Sequence, residues 1–237
     1  MANSSSVSRL RLVLRTGSIV FGVSALALAI ATPVAAQEAP AGPAESAAPP
    51  MSVWGRGVDL DLFTPKNADD AETQVIRSRI APADHKVIGF VGRLAAEKQV
   101  HRMEELFGLP NTSFLIVGDG PERARLEEKF AGHPVTFTGA LSGLELARHY
   151  AAMDIFVHFG TEETFGQTIQ EAQATGLAVV APNVGGPRHL IDHGRSGFLV
   201  DPTQTAGYRN QVAQLLANEG LHRDVSLGGL QQVAGRS

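Results

Sequence analysis

Short apolar runs that each end near a glycine or a proline constrain the fold of this chain most strongly. Five such runs follow one another, at residues 86–91, 113–117, 135–138, 154–158 and 177–181. Their apolar residues are consecutive, which is typical of strands buried on both faces of a parallel sheet. Helical stretches alternate with them, at roughly 99–108, 121–131, 142–152, 166–175 and 205–218. The alternation predicts an α/β fold, an open parallel sheet with helices on both faces.

The glycine-bearing loops that follow these runs are the candidate ligand-binding segments. In an open α/β sheet, ligands bind outside the carboxyl ends of the strands, where these loops lie. Two of the following helices carry a capping-box pattern, Ser142-x-x-Glu145 and Thr164-x-x-Gln167. In a capping box each of the two side chains meets an unpaired backbone amide, so the pattern predicts helix starts at Ser142 and Thr164.

The first fifty residues differ in composition from the rest. Arginines precede an apolar run at 19–31, and small residues at 34–36 resemble a cleavage site. Residues 1–36 therefore have the layout of a secretory signal peptide, with an uncleaved anchor and a wrongly joined gene start as alternatives. Residues 37–51 are rich in Ala and Pro and are predicted to be a linker. The functional domain is predicted to be residues 52–237.

Composition excludes several classes of function. The chain has 237 residues, 43% of them hydrophobic, which suits a globular domain. Its formal net charge of -4 gives no indication of nucleic-acid binding. It contains no cysteine, so it has no disulfide, thiolate metal site or thiol nucleophile.

Two glutamates flank a predicted helix start in the segment 163–171. Glu163 precedes the helix and Glu171 lies inside it, and eight residues of helix rise about 12 Å. At that distance the carboxylates cannot share a proton or a metal ion, but they suit two separate parts of a long ligand. The helix amides between them favour a phosphate. The spacing alone also fits two exposed glutamates on a helix surface.

Two cations lie on the loop after the first predicted strand. Arg93 and Lys98 are placed to neutralise a diphosphate, Arg93 through a bidentate contact and Lys98 as a point charge. A nucleoside diphosphate that leaves a sugar gains charge, so these cations would lower the barrier to transfer. Ordinary surface basic residues, with Glu97 paired to a neighbour, are the alternative.

Other motifs are weaker. Residues 118–121 lack the third glycine of a dinucleotide-binding motif, since Arg123 stands there, and fit a tight turn with Pro121 at the helix start. The glycines at 185–186 fit close approach to a sugar or a plain turn, with Pro187 beginning a helix. The D-x-D at 59–61 is attributed to chance. His158 is a lone histidine without a second at metal-ligand spacing.

Six of these motifs occur in the order seen in one family. They are Gly57-Val58-Asp59, Gly92-Arg93-Leu94 with Glu97-Lys98, Val117 to Pro121, Glu163 to Gly166, Glu171-Ala172 and Gly185-Gly186-Pro187. The chain resembles the retaining GT-B glycosyltransferases over about residues 52–220, and most closely the class that includes bacterial mannosyl- and glucosyltransferases. The resemblance implies a Rossmann-like donor-binding domain that is the C-terminal half of a GT-B fold.

The resemblance also implies roles. Arg93 and Lys98 would contact the donor diphosphate, Glu163 the transferred sugar and Glu171 the ribose hydroxyls. Arg93, Lys98 and Glu163 would be the catalytic residues. The further binding positions would be Leu141 near the base and the amides of Phe165, Gly166, Gln167 and Thr168. The donor would be a nucleotide-sugar such as GDP-mannose or a UDP-hexose, and neither a metal ion nor another cofactor would be needed.

The chain departs from the family pattern, in which the reaction occurs between two Rossmann-like domains. Here the acceptor-binding domain is expected to be absent, and the tail stops early. The acceptor, a lipid or a glycan, would then need a separate acceptor-domain chain. The chemistry implies the cytoplasm or the inner membrane face, whereas the leader implies export. The expected function is a truncated hexosyltransferase donor domain that acts with retention; the alternatives are a non-catalytic nucleotide-sugar-binding remnant, a dehydrogenase or an epimerase.

Overall fold

A six-stranded parallel sheet organises the part of the chain that the structure, a computed structural model, describes: residues 57–204 and 206–236. The signal-like segment 1–36 and the linker 37–51 lie outside the described residues. The strands are β1 Lys86–Val91, β2 Thr112–Val117, β3 Val135–Gly139, β4 Ile155–Val157, β5 Ala178–Pro182 and β6 Phe198–Val200. Their order across the sheet is β3-β2-β1-β4-β5-β6. The predicted Rossmann-like α/β architecture is confirmed.

The helices connect these strands. They are α1 Ala71–Ile80, α2 Arg123–Lys129, α3 Gly143–Ala151, α4 Gln167–Ala174, α5 Pro187–Leu190, α6 Gly207–Ala217 and α7 Glu219–Ala234. Tighter 3-10 turns occupy Pro65–Asp69, Ala96–Lys98 and Val100–Leu106. The stretch predicted to be helical at 99–108 is thus a 3-10 helix. It begins after Gln99, whose φ of 50° prevents one continuous helix with the turn before it.

Both faces of the sheet are buried, which is why the strands are apolar at consecutive positions. In β1, Ile88 and Phe90 belong to one apolar cluster, while Val87 and Val91 belong to the other. All four side chains are at most 7% exposed. Successive side chains of a strand point to opposite faces, so each face needs its own apolar set.

Three local predictions about helix starts were wrong in mechanism or position. Ser142 occupies the cap position of α3, but its side chain makes no capping hydrogen bond. Thr164 does not cap α4, since Gly166 holds that position in the left-handed conformation, at φ 58°. Pro121 precedes α2 by two residues and does not begin it. Pro187, in contrast, begins α5 as predicted.

The strand order reverses between β1 and β4. From β1 the chain proceeds to β2 and β3 on one side, and from β4 to β5 and β6 on the other. The loops after β1 and β4 therefore diverge and leave a crevice at their carboxyl ends, the usual ligand site of such sheets. Among the described residues, no helix is both long and apolar enough to cross a membrane.

Candidate functional site

An ion pair joins the two loops at the point where the strand order reverses. Lys98, after β1, donates from Nζ to Glu163 Oε2, after β4, at 2.8 Å. The other carboxylate oxygen, Oε1, accepts from the Gly166 amide at 2.9 Å. Desolvation raises the pKa of Glu163, but the hydrogen bonds from Lys98 and Gly166 outweigh it and hold that pKa below its ordinary value. Glu163 is therefore held ionised at the helix start.

The backbone of Glu163 is held by a glycine pair from the loop after β5. The Gly186 amide donates to the Glu163 carbonyl at 2.7 Å. A Cβ at Gly185 would lie 2.9 Å from that carbonyl oxygen, and one at Gly186 would lie 2.6 Å from the Thr164 carbonyl oxygen. The glycines thus allow a close approach to a neighbouring loop. Their contact with a sugar stays a prediction.

A cavity of about 720 Å³ opens beside this loop pair. It is lined by Glu163, Thr164, Gly185, Gly186, Arg188 and His189. Arg188 and His189 lie on α5 and were not predicted to be site residues. The sequence feature that could have indicated them is their position in the single helical turn that follows the Gly-Gly-Pro segment.

Arg93 extends from the loop after β1 into solvent. Its side chain is exposed and has no hydrogen bond or ion pair with any residue in 57–204 and 206–236. The Asp119 carbonyl accepts from the Leu94 amide at 2.9 Å, so the loop after β2 supports the Arg93 loop. A free guanidinium on a supported loop is available to a phosphate.

Two glycines of the segment 118–121 allow the loop after β2 to pack closely against the Arg93 loop. A Cβ at Gly118 would overlap the carbonyl oxygen of Gly92, and one at Gly120 would overlap that of Leu94. The glycines therefore face the neighbouring loop and not an open dinucleotide site. This arrangement favours the tight-turn interpretation of the segment.

Glu171 lies in the middle of α4 and is half-buried. Its Oε2 accepts from the Tyr150 hydroxyl of α3 at 2.8 Å. Burial raises the pKa of Glu171, while hydrogen bonds from Tyr150 and Gln167 lower it, and burial prevails. Tyr150 was not predicted to matter. The available signal was that a buried tyrosine needs a partner for its hydroxyl.

The remaining predicted positions surround the start of α4. Phe165 is 62% exposed, whereas the Gly166 backbone is buried, and Gln167 and Thr168 occupy the first turn of the helix. Leu141 lies before α3, partly buried against the core. The structure thus places Lys98, Glu163 and Gly166 in direct contact. The contacts of Leu141, Phe165, Gln167, Thr168 and Glu171 with a donor stay predictions.

His158 lies under the ion pair at the end of β4. It is 1% exposed, and its Nε2 is 3.9 Å from Glu163 Oε2. Desolvation lowers its pKa to about 4, with Lys98 adding to that effect and Glu163 and the Gly160 backbone opposing it. The ring is therefore neutral at neutral pH.

The acidic pair at 59–61 has a local structural explanation. Asp59 Oδ1 accepts from the amides of Asp61 and Leu62, at 3.0 Å each. The carboxylate therefore closes a turn before α1, which favours the chance interpretation of the D-x-D pattern.

Sequence comparison identifies relatives of this chain. The family model for "Glycosyl transferases group 1" matches residues 72–229. The GDP-mannose-dependent alpha-mannosyltransferase of Mycobacterium tuberculosis is 48% identical over 64% of this chain and 39% of that protein. Its namesake in Corynebacterium glutamicum is 41% identical over 73% of this chain and 40% of that protein. The chain thus spans about two fifths of the length of these relatives.

Solved structures give the same result for the fold. The C-terminal domain of a group 1 glycosyl transferase from Francisella tularensis has a TM-score of 0.65 at 24% identity, covering 76% of this chain and 98% of that one. Anabaena HepE, solved with UDP and glucose, has a TM-score of 0.68 at 24% identity, covering 76% and 51%. The resemblance to the C-terminal half of GT-B glycosyltransferases is confirmed, and the chain belongs to the group 1 glycosyl transferase family.

Proposed function

We propose that this chain binds a nucleoside-diphosphate mannose and supplies the donor site for mannosyl transfer with retention, to a lipid or glycan acceptor held by another domain or chain. The observation that carries the proposal is the convergence of Lys98, Glu163 and the Gly166 amide where the strand order reverses. A cation, a carboxylate and a helix start at one crevice match a diphosphate joined to a polyhydroxylated ring.

Electrostatics supports the roles of the two cations. When the bond between the sugar's anomeric carbon and the phosphate oxygen breaks, the bond electrons move to the leaving diphosphate. The Arg93 side chain has no partner in the described part of the chain, and Lys98 has three N–H donors, of which Glu163 accepts one. Positive charge in place before the reaction stabilises the leaving group without rearrangement of solvent.

The choice of GDP-mannose comes from the relatives. The Mycobacterium tuberculosis and Corynebacterium glutamicum proteins are both named GDP-mannose-dependent, at 48% and 41% identity. A UDP-hexose is the second candidate, because the structural neighbour from Anabaena was solved with UDP and glucose. A nucleotide-sugar donor points to the cytoplasm or the inner membrane face as the place of action.

Calorimetry on the full chain tests the donor site. We expect GDP-mannose to bind more tightly than GDP, UDP or UDP-glucose, and EDTA to leave the affinity unchanged. Lys98→Met should weaken GDP binding by about 1.5–3 kcal/mol, the range for a hydrogen bond to a charged group. Unchanged GDP affinity in this variant would remove Lys98 from the site.

Lys129→Met is the matched control. Lys129 also pairs with a glutamate, Glu104, at 2.6 Å, and so loses the same kind of contact. It ends α2, which returns the chain to the amino edge of the sheet, away from the crevice. The control should bind GDP like the unaltered chain.

A transfer assay separates the enzyme from the non-catalytic remnant. Radiolabelled GDP-mannose is incubated with the chain, lipid and glycan acceptors, and an acceptor domain expressed separately from the Corynebacterium glutamicum relative. Labelled product that requires Glu163 supports transfer, and its anomeric configuration tests retention. Tight binding with neither transfer nor donor hydrolysis would leave the remnant interpretation standing.

A further inference from the structure

His158 is a buried polar side chain that the proposed chemistry does not use. Both of its ring nitrogens are buried, and neither makes a well-formed hydrogen bond among the residues the structure describes, although the Gly160 backbone lies close enough to raise the pKa of the ring. Buried polar groups without partners cost free energy, so such a group calls for a reason. An aliphatic residue or a phenylalanine would avoid that cost, but a histidine stands here.

The ring is held in a fixed orientation by its surroundings. It stacks on Phe90 of β1, with ring centroids 6.5 Å apart and an interplanar angle of 18°. The Tyr208 hydroxyl of α6 donates to the His158 carbonyl at 2.9 Å. A Cβ at Gly160 would lie 3.3 Å from Nε2 and 3.2 Å from the Glu97 carbonyl oxygen, so a glycine at this position avoids crowding that nitrogen.

The space in front of His158 Nε2 leads to Glu163 Oε2, the oxygen that accepts the hydrogen bond from Lys98. Lys98 Nζ contacts Glu163 Oε2 at 2.8 Å, and His158 Nε2 faces the same oxygen at 3.9 Å. That distance is too long for a hydrogen bond, but a small rotation of the Glu163 carboxylate would close it. Two donors thus face one acceptor, and one of them is engaged in this structure.

We propose that His158 is a positioning residue that replaces Lys98 on Glu163 when a diphosphate draws Lys98 away. In the donor-free state Lys98 binds Glu163, and Nε2–H of the neutral ring makes no well-formed hydrogen bond within residues 57–204 and 206–236. When Lys98 turns to phosphate, Glu163 would otherwise remain a half-buried carboxylate with only the Gly166 amide as a donor. Donation from His158 keeps the carboxylate ionised and oriented. This inference rests on the proposed function only for the ligand that moves Lys98.

Nuclear magnetic resonance of the full chain labelled with 15N-histidine tests the exchange directly. His158→Gln identifies the His158 signal by its loss. In Lys98→Met without any ligand, Glu163 has already lost its cation, so the Nε2–H proton should move downfield and exchange more slowly with water. In the unaltered chain the same change should appear only when GDP or UDP is added. An unchanged Nε2–H signal in Lys98→Met overturns the proposal.

The affinity of two His158 variants for GDP provides the second measurement. His158→Phe keeps a ring on Phe90 but removes the donor, and we expect it to weaken GDP binding roughly tenfold. His158→Gln, whose amide nitrogen can stand in for Nε2–H, should restore most of that affinity. Equal losses in both variants would indicate a packing role alone and contradict the exchange.

These outcomes keep the two proposals apart. If GDP and GDP-mannose bind to none of the chains, yet the signal moves in Lys98→Met, the donor-site proposal fails and the exchange of donors stands. If both bind and the His158 signal never moves, the exchange fails and the donor-site proposal stands.

Discussion

Replacing Lys98 by methionine should destabilise the fold in a way that depends on pH. The ion pair with Glu163 is 2.8 Å long, and its side chains are 23% and 17% exposed. Breaking a fully buried pair costs about 3–5 kcal/mol, while an exposed pair contributes about 0–1 kcal/mol. Since this pair is only partly buried, we expect Lys98→Met to lower the free energy of unfolding by about 1–2 kcal/mol at neutral pH.

The sign of the pH dependence follows from the lowered pKa of Glu163. A carboxyl whose folded pKa lies below its unfolded pKa contributes stability above the unfolded value, and that contribution disappears as pH falls through the folded value. In Lys98→Met, desolvation still raises the pKa of Glu163 but the opposing contacts of Lys98 are gone. The difference between variant and parent should therefore be greatest at neutral pH and shrink on acidification.

Urea unfolding followed by circular dichroism, from about pH 7 down to about pH 3, measures this difference. Lys129→Met is the control again, and its exposed pair should give a change of about 0–0.5 kcal/mol at every pH. A loss in Lys98→Met that stays constant over the whole range would refute the reasoning, because packing alone would then explain it.

Three further substitutions test other parts of the site. Tyr150→Phe removes a hydrogen bond to Glu171, so the pKa of Glu171 should rise further and GDP affinity should fall about tenfold. A titration of the Glu171 carboxyl, followed by its 13C resonance, contradicts this if the pKa of Glu171 does not rise. Gly118→Ala should lower the free energy of unfolding, measured in urea, by more than about 2 kcal/mol and weaken GDP binding, because the new methyl group overlaps a neighbouring loop. Gly132→Ala, also at positive φ but with open space around it, should lower that free energy by only about 1 kcal/mol. Equal losses in the two variants would refute the steric argument. Glu163→Gln should weaken GDP-mannose more than GDP in calorimetry, whereas equal losses would contradict a role in binding the sugar.

The sheet was predictable because its signal is strong and repeated. Five consecutive-apolar runs ending near glycine or proline mark five strands, each within two residues of its observed bounds at both ends. The sixth, β6, was not predicted, and its length does not explain this, because β4 also has only three residues. α7 was missed because Gly228 and Gly229 interrupt its pattern. A Cβ at Gly228 would overlap the Arg195 carbonyl, so packing needs the glycine that helix propensity disfavours.

The sequence indicated the candidate site residues but not their contacts with one another, and their binding of a donor stays a prediction. Motif order indicated Lys98 and Glu163, yet it could not show that they form an ion pair in the donor-free chain. That contact spans 65 positions and depends on β1 and β4 being neighbours, which no local pattern states. Tyr150 is similar, since its contact with Glu171 joins two helices from different crossovers.

The ion pair between Lys98 and Glu163 affects which ligands the proposed site would bind tightly. Glu163 neutralises Lys98 before a donor arrives, so a bare anion must compete with a carboxylate for the same ammonium group. A ligand that brings only negative charge gains less from Lys98 than one that also offers hydroxyls to the displaced Glu163. Both halves of a nucleotide-sugar are then required for full affinity, whereas inorganic phosphate supplies only one. We therefore expect the proposed site to discriminate between a nucleotide-sugar and free phosphate, because the reversal of strand order sets a cation and a carboxylate from distant segments side by side.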